Sequence, residues 1–187
     1  MKLKFTLAAC AALALAACGR SEDATPPEAT ATPTGALAEA DAAVTDAILP
    51  TDAQGFVDVA AANDMFEIEA GKLAQTLGVT QAVKDFGKMM ETDHTKSSAD
   101  LRTAAAQASA TVNAQLTPKQ RADLEALKNA GADFDRLYKE QQLAAHQEAL
   151  SLLRNYASAG DQQELKDFAG KTAVVVQTHL EHTQTLP

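Results

Sequence analysis

This sequence is poor in the residues that build sheets and covalent staples. It contains no tryptophan, two tyrosines and six phenylalanines in 187 residues. After Pro50, β-branched runs are nearly missing, Val174-Val175-Val176 being the exception. A strand-rich fold is thereby excluded, because strands draw on aromatic and β-branched side chains. Cysteine occurs only at positions 10 and 18. There is no glycine-rich loop to cradle a phosphate and no nucleophile elbow, so neither a nucleotide site nor a serine hydrolase is indicated. Basic residues are few, 16 Lys and Arg against 25 Asp and Glu. They are scattered among acids rather than gathered in a stripe, which excludes nucleic-acid binding.

What the chain does have begins with an address. Lys2 and Lys4 precede an apolar run that ends at Ala17 and is too short to span a bilayer comfortably. That order is a secretory signal. Its last four residues, Leu15-Ala16-Ala17-Cys18, resemble a bacterial lipobox. The resemblance implies that residues 1–17 are removed and that the Cys18 thiol carries diacylglycerol, so that the mature chain is held on a membrane by its lipidated N-terminus. Gly19, rather than Asp, follows the cysteine, which by likeness to known lipoproteins implies the outer membrane, facing the periplasm. The mature chain then carries 14 basic against 25 acidic residues, a net charge of −11. Its one remaining thiol is the lipidated one, so no disulfide forms and the fold rests on packing. An acidic surface is unsuited to lying on anionic lipid, which leaves anchoring to the acyl chains.

Residues 18–51 are rich in Ala, Thr, Glu and Asp and include Pro26, Pro27 and Pro33. Such a composition buries too little apolar area to offset its ordering entropy and reads as a tether. Within it, 36–49 is expected to form a short helix ended by Pro50. Residues 52–187 are expected to form one all-α domain. Apolar spacing predicts helices over 52–77, capped by Asp52 and stopped by a left-handed Gly78, and over 81–109, capped by Thr80. Thr117-Pro118-Lys119-Gln120 is a capping box that opens a short helix ending near Gly131. Two more long helices are predicted over 132–158 and 162–184, the last opened by an Asp161 capping box. Two hairpins joined by a long crossover give ferritin-like four-helix connectivity, with a simple up-down bundle as the alternative.

Each long helix offers an ionisable residue near its inner face. His94 lies four residues after Met90, His179 four after Val175, His146 eight after Tyr138, and Glu67 one turn before Ala70 and Gly71. Counting rise from the hairpin turns leaves offsets of about 6–7 Å between paired helices, a gap that two inward side chains bridge. Ligands of this kind, projecting from facing helices, hold iron, copper or another transition metal. Glu67, His94, His146 and His179 are the candidate ligands, with Met90, Asp93, Asp135 and Tyr138 as supporting residues. Only one Glu-x-x-His is present, Glu91 to His94, and most of a di-iron carboxylate shell is missing. The plainer reading is that the histidines are hydrogen-bonded core residues, while Asp133 and Asp135 favour a helix N-terminus. His182 is expected at the surface. No residue is assigned a catalytic role. Three functions are open: an anchored bundle with a metal-binding interior acting in envelope stress or homeostasis, a ferritin-like redox protein for iron or copper, and a structural interaction module with an unidentified protein partner.

The same residues carry a resemblance. Glu67-Ile68, Gly71 and Leu73-Ala74, then Val83-Lys84, Phe86, Met90 and Asp93-His94, then Phe134-Asp135, Tyr138 and His146, and finally His179-Leu180 together resemble the bacterial domain-of-unknown-function family 4142 over about 56–182. The resemblance implies a ferritin-like helical fold in the outer membrane or periplasm and no established reaction. It also implies a proline five residues before the last histidine, where this chain has Val174. A kink in the last helix is therefore not expected here, which bears on where His179 lies.

Overall fold

A computed structural model describes residues 49–187. The signal segment, Cys18 and the tether through residue 48, with nearly all of the expected 36–49 helix, lie outside the described residues. The described chain is all-α: α1 (Ala53–Leu77), α2 (Gln81–Gln107), α3 (Pro118–Lys128), a single 3-10 turn (Gly131–Asp133), α4 (Phe134–Ala159) and α5 (Gln163–Thr185). No strand occurs among the described residues, and none of these helices is long and apolar enough to cross a membrane.

The helix starts follow from side-chain caps. Asp52 accepts from the Gly55 N–H at 2.8 Å, and Thr80 Oγ1 from Val83 N–H at 3.4 Å. Thr117 and Gln120 form the expected reciprocal box, with Pro118 at the first helical position. Three local expectations are corrected. Gly78 is not left-handed; its φ is −53°, and a Cβ there would meet the Ala74 carbonyl oxygen at 2.5 Å. The helix expected to reach 109 ends at Gln107, because Ser109 adopts φ 57° and turns the chain away. Asp161 does not cap α5. Its carboxylate instead accepts the Tyr156 hydroxyl at 2.8 Å, while Gln162 occupies the cap position with no side-chain bond.

Packing is most extensive between α1 and α2 and between α4 and α5, then between α2 and α5 and between α1 and α4. Phe56, early in α1, stacks on Tyr156, late in α4, at 4.0 Å between ring centroids. Phe86, early in α2, meets His182, late in α5, at 5.2 Å. Each neighbouring pair is thus antiparallel, and α2 and α4 run in the same direction. Residues 108–133 must therefore travel back along the molecule, and α3 packs on α1 and α4 as they do so. The helices α1 and α2 approach closely at Gly71 and Gly87. A Cβ on Gly71 would lie 2.5 Å from the Gly87 carbonyl oxygen, and one on Gly87 would lie 2.6 Å from Ala74 Cβ.

Two apolar clusters fill the interior. One holds Phe56, Leu101, Leu153, Tyr156, Leu165 and Phe168; the other holds Phe66, Phe86, Met90, Leu127, Phe134 and Tyr138. At their junction each long helix turns a polar residue inward: Asp64 and Glu67 from α1, His94 from α2, Gln142 and His146 from α4, His179 and Thr183 from α5. Burying such groups costs several kcal/mol apiece in the absence of partners, so their bonding decides what the layer is for.

Candidate metal centre

His94 is held from α1. Its Nδ1 lies 2.8 Å from Asp64 Oδ1, and Ser98 Oγ donates to the other Asp64 oxygen at 3.3 Å. A carboxylate accepts, so Nδ1 carries a proton, and in the neutral ring Nε2 presents a lone pair. His146 repeats the arrangement within α4, Nδ1–H donating to the Gln142 backbone carbonyl at 2.9 Å. His179 reverses the ring: Nε2–H donates to Asp93 Oδ2 at 2.9 Å. The remaining nitrogens, His94 Nε2, His146 Nε2 and His179 Nδ1, are buried and have no protein partner.

These three rings meet. One nitrogen from each lies within 4.8 Å of one from each of the others. Ring centroids are 5.5 to 6.0 Å apart on all three sides. A tetrahedral ion at about 2.05 Å from three imidazoles needs nitrogens about 3.4 Å apart. The ring nitrogens would have to draw together by up to about 1.4 Å to hold such an ion. Glu67 completes the layer, accepting from Gln142 Nε2 at 2.7 Å with its other oxygen 3.8 Å from His146 Nδ1.

Electrostatics divides the three histidines. Burial depresses His94, but its bond to Asp64 and the charges of Glu67, Asp64 and Asp93 outweigh burial and hold it above the ordinary imidazole value. Burial pushes His146 down, with only partial relief from Glu67 and a further push from His94. Burial takes His179 down to about 4 against the pull of Asp93, helped by repulsion from His94 and His146. The layer therefore favours the charged form at His94 and the neutral form at His146 and His179.

Of the candidate residues named from the sequence, the fold brings together His94, His146, His179, Glu67 and Asp93. Asp93 orients His179 from the solvent edge. Met90 is wholly buried in the apolar cluster beside Phe86. Tyr138 is packed between Phe134 and Phe86, its hydroxyl buried and without a partner. Asp135 lies elsewhere, about three helical turns from His146. It accepts from Val79 N–H, Thr80 N–H and Thr80 Oγ1 at 2.7 to 2.8 Å and so ties the α1–α2 turn to α4. His182 is exposed, its ring edge-on to Phe86. Helix α5 runs unbroken through Val174, and His179 is only 2% exposed.

Sequence reasoning missed Asp64 and Gln142. Both were within reach of the helical period. Asp64 continues the stripe Phe56, Ala60, Asp64, Glu67, Gly71, and Gln142 lies midway between Tyr138 and His146. Asp64, one turn before Glu67, also removes the expected axial offset, because it is Asp64 that pairs with His94.

No curated protein and no solved structure matches the chain. A family model described as "Domain of unknown function (DUF4142)" matches residues 36–186, which include every long helix and all three inward-facing histidines. The chain therefore belongs to the DUF4142 family.

Proposed function

We propose that this protein binds one divalent transition-metal ion through His94 Nε2, His146 Nε2 and His179 Nδ1. Two observations carry the reading: three rings from three helices each bring a nitrogen within 4.8 Å of the others, and each ring has one anchored nitrogen and one buried, unpartnered one. Imidazole donors suit zinc, copper, iron and nickel. Anchoring the far nitrogen on a carboxylate or carbonyl is how metal-binding histidines are fixed in tautomer and direction. A purely structural role accounts less well for three unpartnered ring nitrogens in a buried layer.

The connectivity of two antiparallel hairpins and a returning crossover supports a ferritin-like four-helix bundle. It also favours a second reading, a redox protein that handles iron or copper. Against a di-iron form of it, Asp64 and Asp93 are already committed to histidine rings. The lipobox supports attachment through Cys18 to the outer membrane, with the centre facing the periplasm and a role in envelope homeostasis. Radiolabelled palmitate should enter the wild type and not Cys18→Ser; equal labelling of both overturns the anchor.

The test of the centre is metal analysis after reconstitution with zinc or ferrous ion. One equivalent per chain is expected, falling below about a tenth in His94→Ala, His146→Ala and His179→Ala. Absence of metal from the wild type, with the variants merely less stable, overturns the reading. Turnover of ferrous or cuprous ion by the loaded protein would select the redox form.

A further inference from the structure

After α2 ends, the chain crosses to α3 by a run in which inward and outward residues alternate. Ala110, Val112, Ala114 and Leu116 are partly buried, while Thr111, Asn113, Gln115 and Thr117 are exposed. A period of two is that of an extended chain, yet no strand pairs with it among the described residues. A side chain fills one rung instead. The Gln54 amide, from α1, donates to the Thr111 carbonyl at 2.8 Å and accepts from the Thr111 N–H at 3.0 Å. That double exchange is what an antiparallel partner residue makes. Beyond it, the backbone N–H and C=O groups of Val112, Asn113, Ala114 and Gln115 have no partner among the described residues. Successive residues of an extended chain face opposite edges, so Gln54 takes the edge of Thr111 and leaves that of Val112 and Ala114 open.

Val112 and Ala114 also line a surface cleft of about 150 Å³, together with Ala61, Met65, Ile68 and Leu101. Its charged rim is uneven. Glu69, on α1, is paired with Lys72 at 2.8 Å. Arg102, on α2, is exposed, has no carboxylate partner among the described residues and holds only the Ser98 carbonyl, at 3.4 Å.

We propose that this cleft is a docking site for an extended segment of a partner protein, which adds as an antiparallel strand to the edge of Val112 and Ala114. The inference does not rest on the metal reading. Main-chain bonds to the open edge hold the segment, and its inward side chains set what is accepted. One is apolar and lies against Met65 and Leu101. The next inward side chain, two residues on and about 7 Å away, is an aspartate or glutamate that pairs with Arg102. A lysine or arginine at that position is repelled.

The experiment adds a blocked pentapeptide to the isotope-labelled full chain and follows backbone amide shifts. The peptide has threonine at its first, third and fifth positions, valine at the second and glutamate at the fourth. Saturable shifts are expected from Val112 to Gln115 and at Arg102. N-methylation of the peptide's valine and glutamate removes the donors that face the edge and should weaken binding about tenfold or more. Arg102→Gln should weaken it about fivefold or more, and so should glutamine in place of the peptide's glutamate. Arg102 is exposed, so unchanged amide shifts elsewhere in the variant report an intact fold. No saturable shifts, equal binding of the methylated peptide, or equal binding by Arg102→Gln overturns the site. Concentration-dependent dimerisation that protects the same amides without peptide gives the edge to a second copy and overturns the partner segment.

Discussion

Asp64 is the residue on which the centre's chemistry turns. Its carboxylate holds a proton on His94 Nδ1, and its charge favours the ring's charged form. Metal binding requires a neutral imidazole, so an ion would compete with a proton at His94. Affinity should therefore fall as pH drops through the raised His94 value; zinc titration by calorimetry at pH 8, 7 and 6 checks this, and the buffer-dependent heat counts the proton. Asp64→Asn should weaken zinc binding about 10- to 100-fold while leaving the three histidines in place. The metal-free protein behaves differently. His179, held near 4 when folded, and His146, also depressed, bind protons more readily in the unfolded chain. Stability is thus full above about pH 6.5 and declines toward pH 4, by up to about 3 kcal/mol for His179. His94 contributes with the opposite sign, its ion-pair stabilisation being present at low pH and lost as pH rises through its raised value. Urea unfolding of chelator-treated protein at pH 7.5, 6 and 5 should show the net decline.

Among the elements, the α1–α2 hairpin is the most exacting. Backbone contact at Gly71 and Gly87 sets the distance between these helices, and that distance lets Asp64 reach His94. Gly71→Ala pushes a methyl into the Gly87 carbonyl and should cost about 1–3 kcal/mol, measured by denaturant midpoint, with a loss of zinc affinity alongside. Asp135→Ala should lower the melting temperature by a few degrees, corresponding to about 1 kcal/mol, and leave zinc affinity intact, since it loosens only the far turn. The elements themselves were legible: helix spans followed from apolar spacing, and three of the caps from Asp52, Thr80 and the Thr117 box. Asp161 was misread because a capping motif competes with the Tyr156 hydroxyl, a partner that only the tertiary fold brings near. In the centre, the three histidines were legible from their phase. Asp64 and Gln142 were passed over because an acid or amide on an apolar stripe reads as a boundary until a partner on another helix is known.

For the whole molecule, the polar layer divides the interior into two apolar cores, and one ion would act on both. At 100 times its dissociation constant a ligand stabilises by about 2.7 kcal/mol. For a domain of this size that corresponds to roughly 5–15 °C in melting temperature. Saturating zinc should give such a rise, chelator should reverse it, and His179→Ala should abolish it in a thermal scan.

Packing is richer inside each hairpin than across the seams between them. The donors, however, are divided: His94 comes from the first hairpin, His146 and His179 from the second. An ion at their meeting point would be a clasp between halves that otherwise hold each other less firmly than each holds itself. Stripping it should loosen the α2–α5 and α1–α4 seams first, with faster amide exchange on those faces, while each hairpin stays wound.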